Sequence, residues 1–79
     1  MTTLEKYNAI FCNVLQLNEA DLSNAVFKQT PLWNSIGHMS LLSALEDEFD
    51  ILLEPMDMMA LQSYQQGKVI LSKYGIIIA

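Results

Sequence analysis

Residues that interrupt helices are scarce in this chain, with three glycines and two prolines among 79 residues. Together with long apolar periodicities, that scarcity points to an all-α domain. The single Cys12 excludes an internal disulfide and fits a reducing, cytosolic compartment. One thiol and one histidine cannot complete a tetrahedral metal shell. The N-terminus has no basic region followed by an apolar stretch, so no secretory signal is expected. No apolar run approaches the roughly 20 residues that a bilayer crossing requires. The tail Ile76-Ile77-Ile78-Ala79 is far too short for that and is expected to pack against the helices, its exposure being otherwise a mild aggregation liability.

Basic residues are scarce as well: four against nine acidic ones, for a net charge of −5. None lies between Lys28 and Lys68, a stretch that holds Glu46, Asp47, Glu48, Asp50, Glu54 and Asp57. A local field of one sign argues against nucleic acid and for basic protein partners steered in electrostatically. The plainer alternative is a solvated acidic face that keeps a small monomer soluble.

What is present is apolar bulk. Apolar residues make up 52% of the chain and charged ones 16%, a globular composition, and the length suits one domain spanning residues 1–79. A first helix is predicted from Leu4 to Leu15, with Thr2 and Glu5 at capping-box spacing. Its inner face would carry Leu4, Tyr7, Phe11, Val14 and Leu15, with Cys12 packing at the flank. A long loop from Asn18 to Leu32 follows, pinned by Leu22, Val26 and Phe27. The second helix starts at Asn34 or Ser35, both good capping types, and runs to Phe49. A short third helix begins at Pro55, with Met56, Met58, Met59 and Leu61 as apolar contacts. Ser63 and Gln66 cap a fourth helix, which ends at Tyr74 before Gly75 and carries the stripe Tyr64, Gly67, Ile70, Leu71 and Tyr74. Gly67 within that stripe suggests the close approach of another backbone. The expected architecture is a small four-helix bundle, three longer helices and one short, with a long loop between the first two.

On a helical wheel the second helix separates into two populations. His38, Leu41, Leu42, Leu45, Phe49 and Leu52 form a core side, while Ile36, Met39, Ser40, Ser43, Glu46, Asp47 and Asp50 lie opposite. Two large apolar residues thus fall outside the core directly after Ser35, with acids behind them. That pattern suits a docking surface, although scattered exposed apolar residues are also normal.

Ser35 stands at a helix start, where unpaired amides and the dipole favour an anion such as a phosphodiester on its hydroxyl. A plain N-cap serine is the commoner role for such a residue. A Ser35/His38 nucleophile–base pair has helical spacing. It lacks a strand–turn–helix elbow, an orienting carboxylate and a cleft, and the wheel turns His38 inward.

The stretch Pro31-Leu32-Trp33-Asn34-Ser35-Ile36-Gly37-His38-Met39, followed by Leu41-Leu42-Ser43-Ala44-Leu45-Glu46-Asp47-Glu48-Phe49-Asp50-Ile51, resembles the acyl carrier protein family. Discrete carriers of biosynthetic clusters look especially similar. The family hallmark is Asp-Ser-Leu, often continued by Gly-His-Met, at the start of the second helix. The resemblance covers nearly the whole chain. It implies that Ser35 takes up 4′-phosphopantetheine from coenzyme A and carries acyl or aminoacyl groups as thioesters, with no catalysis of its own. It also implies partner contacts at Asn34, Ile36, Met39, Ser40, Ser43, Glu46 and Asp47. The partners would be a phosphopantetheinyl transferase, an acyl- or aminoacyl-loading enzyme, and a downstream acceptor enzyme such as a ketosynthase. Neither nucleic acid nor membrane insertion is implied.

Two departures from the family pattern stand out. Asn34 replaces the usual aspartate, keeping the capping function but losing a charge that helps dock the transferase and its metal. Ser40 and Ser43 stand where many relatives have glutamate and a larger apolar residue, which implies a different partner set. Asn34 also keeps open a carrier-like domain that is never modified and serves only as an interaction module.

Overall fold

The computed structural model describes residues 1–78, which are mostly helical and contain no strand. Four α-helices, α1 (Thr3–Leu15), α2 (Ser35–Phe49), α3 (Pro55–Ala60) and α4 (Tyr64–Ser72), are joined by a 3₁₀ turn at Glu19–Asn24. None of these helices is long and apolar enough to cross a membrane.

The helix starts follow from side-chain capping. Thr2 accepts from the Glu5 amide while the Glu5 carboxylate accepts from the Thr2 amide, so α1 carries the full capping box. Ser63 accepts from the Gln66 amide at α4, without the reciprocal bond from Gln66 among the described residues. Pro55 opens α3, where its missing N–H costs nothing.

The core is built on aromatics. Tyr7, Phe11 and Trp33 have no exposed surface, and Leu15, Leu41, Leu45, Leu61 and Leu71 close around them. Phe11 lies at the centre, its ring 4.8 Å from Tyr7, 5.3 Å from Tyr64 and 5.5 Å from Trp33. Such tilted and edge-on pairs suit the ring quadrupoles. The Tyr7 hydroxyl donates to the Tyr64 carbonyl at 2.7 Å, and the Tyr64 hydroxyl donates to Asn8. Burial pushes the Tyr7 phenol far above its ordinary range, so it stays a neutral donor.

Several local expectations need correction. The long connection is not a bare loop: the 3₁₀ turn occupies Glu19–Asn24 and buries Leu22, Phe27 packs half-buried against the core as expected, and Val26 is half-buried. Backbone bonds from Phe27 N to Gln62 O and from Tyr64 N to Ala25 O then stitch this segment to the start of α4. In α1, Ile10 joins the core, Val14 packs against it half-buried, and Leu4 is half-buried outside that contact. The predicted core residue Leu52 is 84% exposed, and Leu53 is buried in its place. The cause is Asp50, which closes α2 in the left-handed conformation at φ 52° and ends the helical periodicity that the wheel assumed.

Met56 and Met59 also point to solvent, leaving Met58 half-buried and Leu61 in the core. Helix α4 ends at Ser72, two residues short of Tyr74, and a turn follows to Gly75 at φ 83°. Ile76 and Ile78 pack against the core while Ile77 is exposed; Ala79 lies outside the described residues.

Gly67 meets a side chain rather than a backbone. A Cβ there would sit 2.1 Å from the Tyr7 hydroxyl oxygen. Gly67→Ala is therefore expected to displace Tyr7 from the Tyr64 carbonyl and destabilise the fold by about 1–3 kcal/mol, read from urea unfolding.

Beneath α3, the Asp57 carboxylate accepts from Lys73 Nζ at 2.6 Å and from the Tyr74 hydroxyl at 2.5 Å. The Lys73 hydrogen bond, then that of Tyr74, holds the Asp57 carboxyl below its usual range. Its folded value lies below its unfolded one, so its stabilisation is complete above about pH 4 and is lost as pH falls through the folded value. Lys73 and Tyr74 are both raised, first of all by Asp57, so their contribution holds below about pH 10 and fades as pH rises further. Asp57→Asn is expected to flatten the acid limb of a plot of urea midpoint against pH.

Candidate functional site

The site is assembled from the last residues of the stitched connection and the first turn of α2. Trp33 is fully buried, and its carbonyl accepts from the Lys28 amide at 2.7 Å. That anchor fixes where Asn34 and Ser35 emerge. Asn34 is the N-cap: its side-chain oxygen accepts from the Gly37 amide at 2.9 Å, and its carbonyl accepts from the His38 amide at 2.8 Å. Ser35 follows as the first helical residue, exposed, its hydroxyl without a hydrogen-bond partner among the described residues. The capping duty that an isolated helix-start serine would perform is done by Asn34.

The first turn presents its own donors. The amides of Ser35 and Ile36 have no acceptor among the described residues, and no acidic side chain lies in that turn. An anion on the Ser35 hydroxyl would meet free N–H groups and the positive end of a 15-residue helix. Gly37 is required by close approach: a Cβ would stand 1.9 Å from the Leu32 carbonyl oxygen.

His38 turns inward. The indole nitrogen of Trp33 can only donate, and it donates to His38 Nδ1 at 2.9 Å. Nε2 therefore carries the proton and donates to the Met58 carbonyl at 2.8 Å. The Phe27 ring packs on the imidazole at 4.9 Å. Both ring nitrogens are occupied by core partners, and neither is bonded to Ser35.

The outer face of α2 carries the remaining expected residues. Ile36 is 79% and Met39 61% exposed, with Ser40, Ser43, Asp47 and Asp50 open to solvent behind them. Glu46 is only half-buried and turns one carboxylate oxygen to the Leu53 amide at 2.9 Å, so it fastens the chain beyond α2 as well as contributing charge. Among the described residues the one ion pair is Lys73–Asp57, which leaves Glu46, Asp47, Glu48 and Asp50 without an ion-pair partner.

A shallow depression lined by Glu46, Asp47, Asp50, Ile51 and Leu52 closes the far end of this face. Leu52 is a member the wheel had assigned to the core; only the left-handed cap at Asp50 moves it outside. Trp33 and the Met58 carbonyl were also not foreseen as supports, since a buried indole and a backbone acceptor leave no mark in periodicity.

Away from the site, Cys12 is half-buried, and burial first, then Glu19 and Asp21, raise its thiol. That environment suits packing and disfavours the reactive thiolate. No group of three or more histidine, cysteine or acidic residues among the described residues is placed to hold a metal ion. The chain matches no family model, no curated protein and no solved structure.

Two substitutions separate the supports of this helix start. Asn34→Ala removes the cap and is expected to cost about 1 kcal/mol. Gly37→Ala sets a Cβ against a backbone oxygen that cannot rotate away, and is expected to cost at least as much while shifting the Leu32–Ser35 amide resonances. Chemical denaturation and an amide correlation spectrum check both.

Proposed function

We propose that this protein is a carrier, holding acyl or aminoacyl groups as thioesters on a 4′-phosphopantetheine arm esterified to Ser35. The observation that carries the reading is the Ser35 hydroxyl: exposed, relieved of capping by Asn34, and set at the dipole-positive start of α2. Its sequence surroundings resemble the acyl carrier protein family, and a compact four-helix bundle is the architecture that resemblance implies. The group fits the residues present. Free amides at Ser35 and Ile36 would face its phosphodiester, and no acid in the first turn would repel it. When bound, the arm supplies the thiol on which cargo is carried.

The chain's own residues hold and present. Asn34 and Gly37 fix the helix start, and Ile36 and Met39 offer an apolar contact beside the attachment point. Ser40, Ser43, Glu46, Asp47 and Asp50 extend this contact into an acidic margin. Partners in this reading are a phosphopantetheinyl transferase, a loading enzyme and an acceptor enzyme, each offering a basic rim. Affinity should be modest and salt-sensitive, since a shuttle must release every partner. Catalysis belongs to those partners, and the proposed setting is the cytoplasm.

Asn34 favours one alternative, an interaction module that is never modified, because it lacks the charge of the family's aspartate. Intact mass after incubation with coenzyme A and a broad-specificity transferase decides between them. Wild type is expected to gain one phosphopantetheine, and Ser35→Ala none. A gain seen only with Asn34→Asp would favour the interaction module. No gain in either protein would overturn the carrier reading.

A further inference from the structure

Asparagine side chains turn into acids when the next backbone nitrogen attacks the side-chain carbonyl carbon, so the surroundings of each asparagine decide its fate. The chain holds five, at positions 8, 13, 18, 24 and 34. Asn8 and Asn13 lie inside α1, where the next amide belongs to the helix ladder, and Asn8 also accepts from the Tyr64 hydroxyl. Asn24 is followed by Ala25, whose amide donates to the Leu22 carbonyl at 3.0 Å. Asn18 is exposed with an extended backbone, but it makes no capping bond and the charged Glu19 follows it.

Asn34 differs from the other four. Its backbone is extended at φ −102° and ψ −168°, outside the ladder of the helix it caps. It is exposed, and so is its successor Ser35, whose short side chain leaves the approach open. The attacking nitrogen would be the Ser35 amide, which has no acceptor among the described residues. It lies at the positive end of α2, a field that favours loss of its proton. The Asn34 side-chain oxygen accepts from the Gly37 amide at 2.9 Å. Negative charge develops on that same oxygen during attack, so the bond that caps the helix also stabilises the intermediate. The bond restrains the side chain too, so conversion is slow and accumulates as the molecule ages.

We propose that Asn34 is a modification site, converting through a cyclic imide to aspartate and so adding a charge beside Ser35 after the chain is made. The Ser35 amide gives its proton to water, and its nitrogen bonds to the Asn34 side-chain carbon, which releases ammonia. Water then opens the imide. Cleavage between that carbon and the Ser35 nitrogen leaves aspartate; cleavage at the main-chain carbonyl leaves isoaspartate. The sum is asparagine and water giving an acid and ammonia, with nothing oxidised or reduced. An aspartate here still accepts from the Gly37 amide, and its charge suits the helix start. Isoaspartate lengthens the backbone between Trp33 and α2 and loses the cap. A basic partner surface meets one more charge next to the Ser35 hydroxyl; this consequence rests on the carrier reading, while the conversion itself does not.

Incubation of the full chain in mildly alkaline buffer, followed by peptide mapping with Asn34→Asp as the standard, reads conversion at every asparagine. Acid is expected at position 34 several-fold sooner than at the other four. Ser35→Val keeps the cap and the exposed position but sets a branched side chain beside the attacking nitrogen, and is expected to slow conversion several-fold. No conversion at Asn34, equal conversion at Asn18, or a rate unchanged by Ser35→Val would overturn the site. The two forms are then separated by charge and given coenzyme A and a broad-specificity transferase. Faster uptake of phosphopantetheine by the aspartate form is expected, and equal uptake would overturn its role in regulating Ser35. Uptake by neither form would overturn the carrier reading and that role with it, but not the conversion, which the peptide map reads on its own.

Discussion

The indole N–H of Trp33 is a strong donor in a place water does not reach, and satisfying it organises the surroundings of Ser35. Left unpaired, a buried donor of this kind costs about 1–3 kcal/mol. His38 Nδ1 takes the bond, which fixes the imidazole tautomer and aims its remaining N–H at the Met58 carbonyl. One donor-only side chain thereby joins the connection before α2, the first turn of α2, and α3. Phe11 and Phe27 both meet the indole edge-on. The residue following Trp33 has little choice of direction, and Asn34 can cap α2 without further ordering.

Around that frame, the molecule separates its charges. The one close ion pair among the described residues is spent under α3, between Asp57 and Lys73. Asp47, Glu48 and Asp50 at the end of α2 are open to solvent and form no ion pair among the described residues, in a stretch between Lys28 and Lys68 that contains no basic residue. Unpaired acids repel one another, so this face is at its least favourable when nothing is bound. A basic surface relieves that repulsion, and the relief weakens as salt screens it. Ile36, Met39 and Leu52 add exposed apolar area to the same helix and its exit; in the proposed carrier, charge would steer an encounter and apolar contact would complete it.

Much of this was legible in the sequence, because the relevant signals were local. Thr2 with Glu5, Asn34 before Ser35, and Ser63 with Gln66 mark helix starts through bonds spanning three residues, and each such start is present. The inward turn of His38 and the outward turn of Ile36 and Met39 follow from helical periodicity while the helix lasts. Periodicity failed where it was carried past a helix end: beyond Asp50 it placed Leu52 inside when Leu53 is the core residue. It also failed in α3, where Met56 and Met59 resemble core residues by hydropathy alone. There the buried position belongs to Asp57, whose partners lie 16 and 17 residues away. Gly67 signalled a close approach, but the Tyr7 hydroxyl that makes it is too distant in sequence to be inferred.

Gly37 has a bearing on how such a protein can change over generations. The Leu32 carbonyl occupies the space of any side chain at that position, and the buried indole of the next residue, Trp33, admits few substitutes. Interleaved with these fixed points are Ile36, Met39, Ser40 and Ser43, whose side chains face solvent and support nothing inside. Substitutions there carry little penalty in stability. Mutational freedom is thus concentrated on the surface that a partner would read, so recognition can diverge among descendants while the placement of Ser35 stays the same.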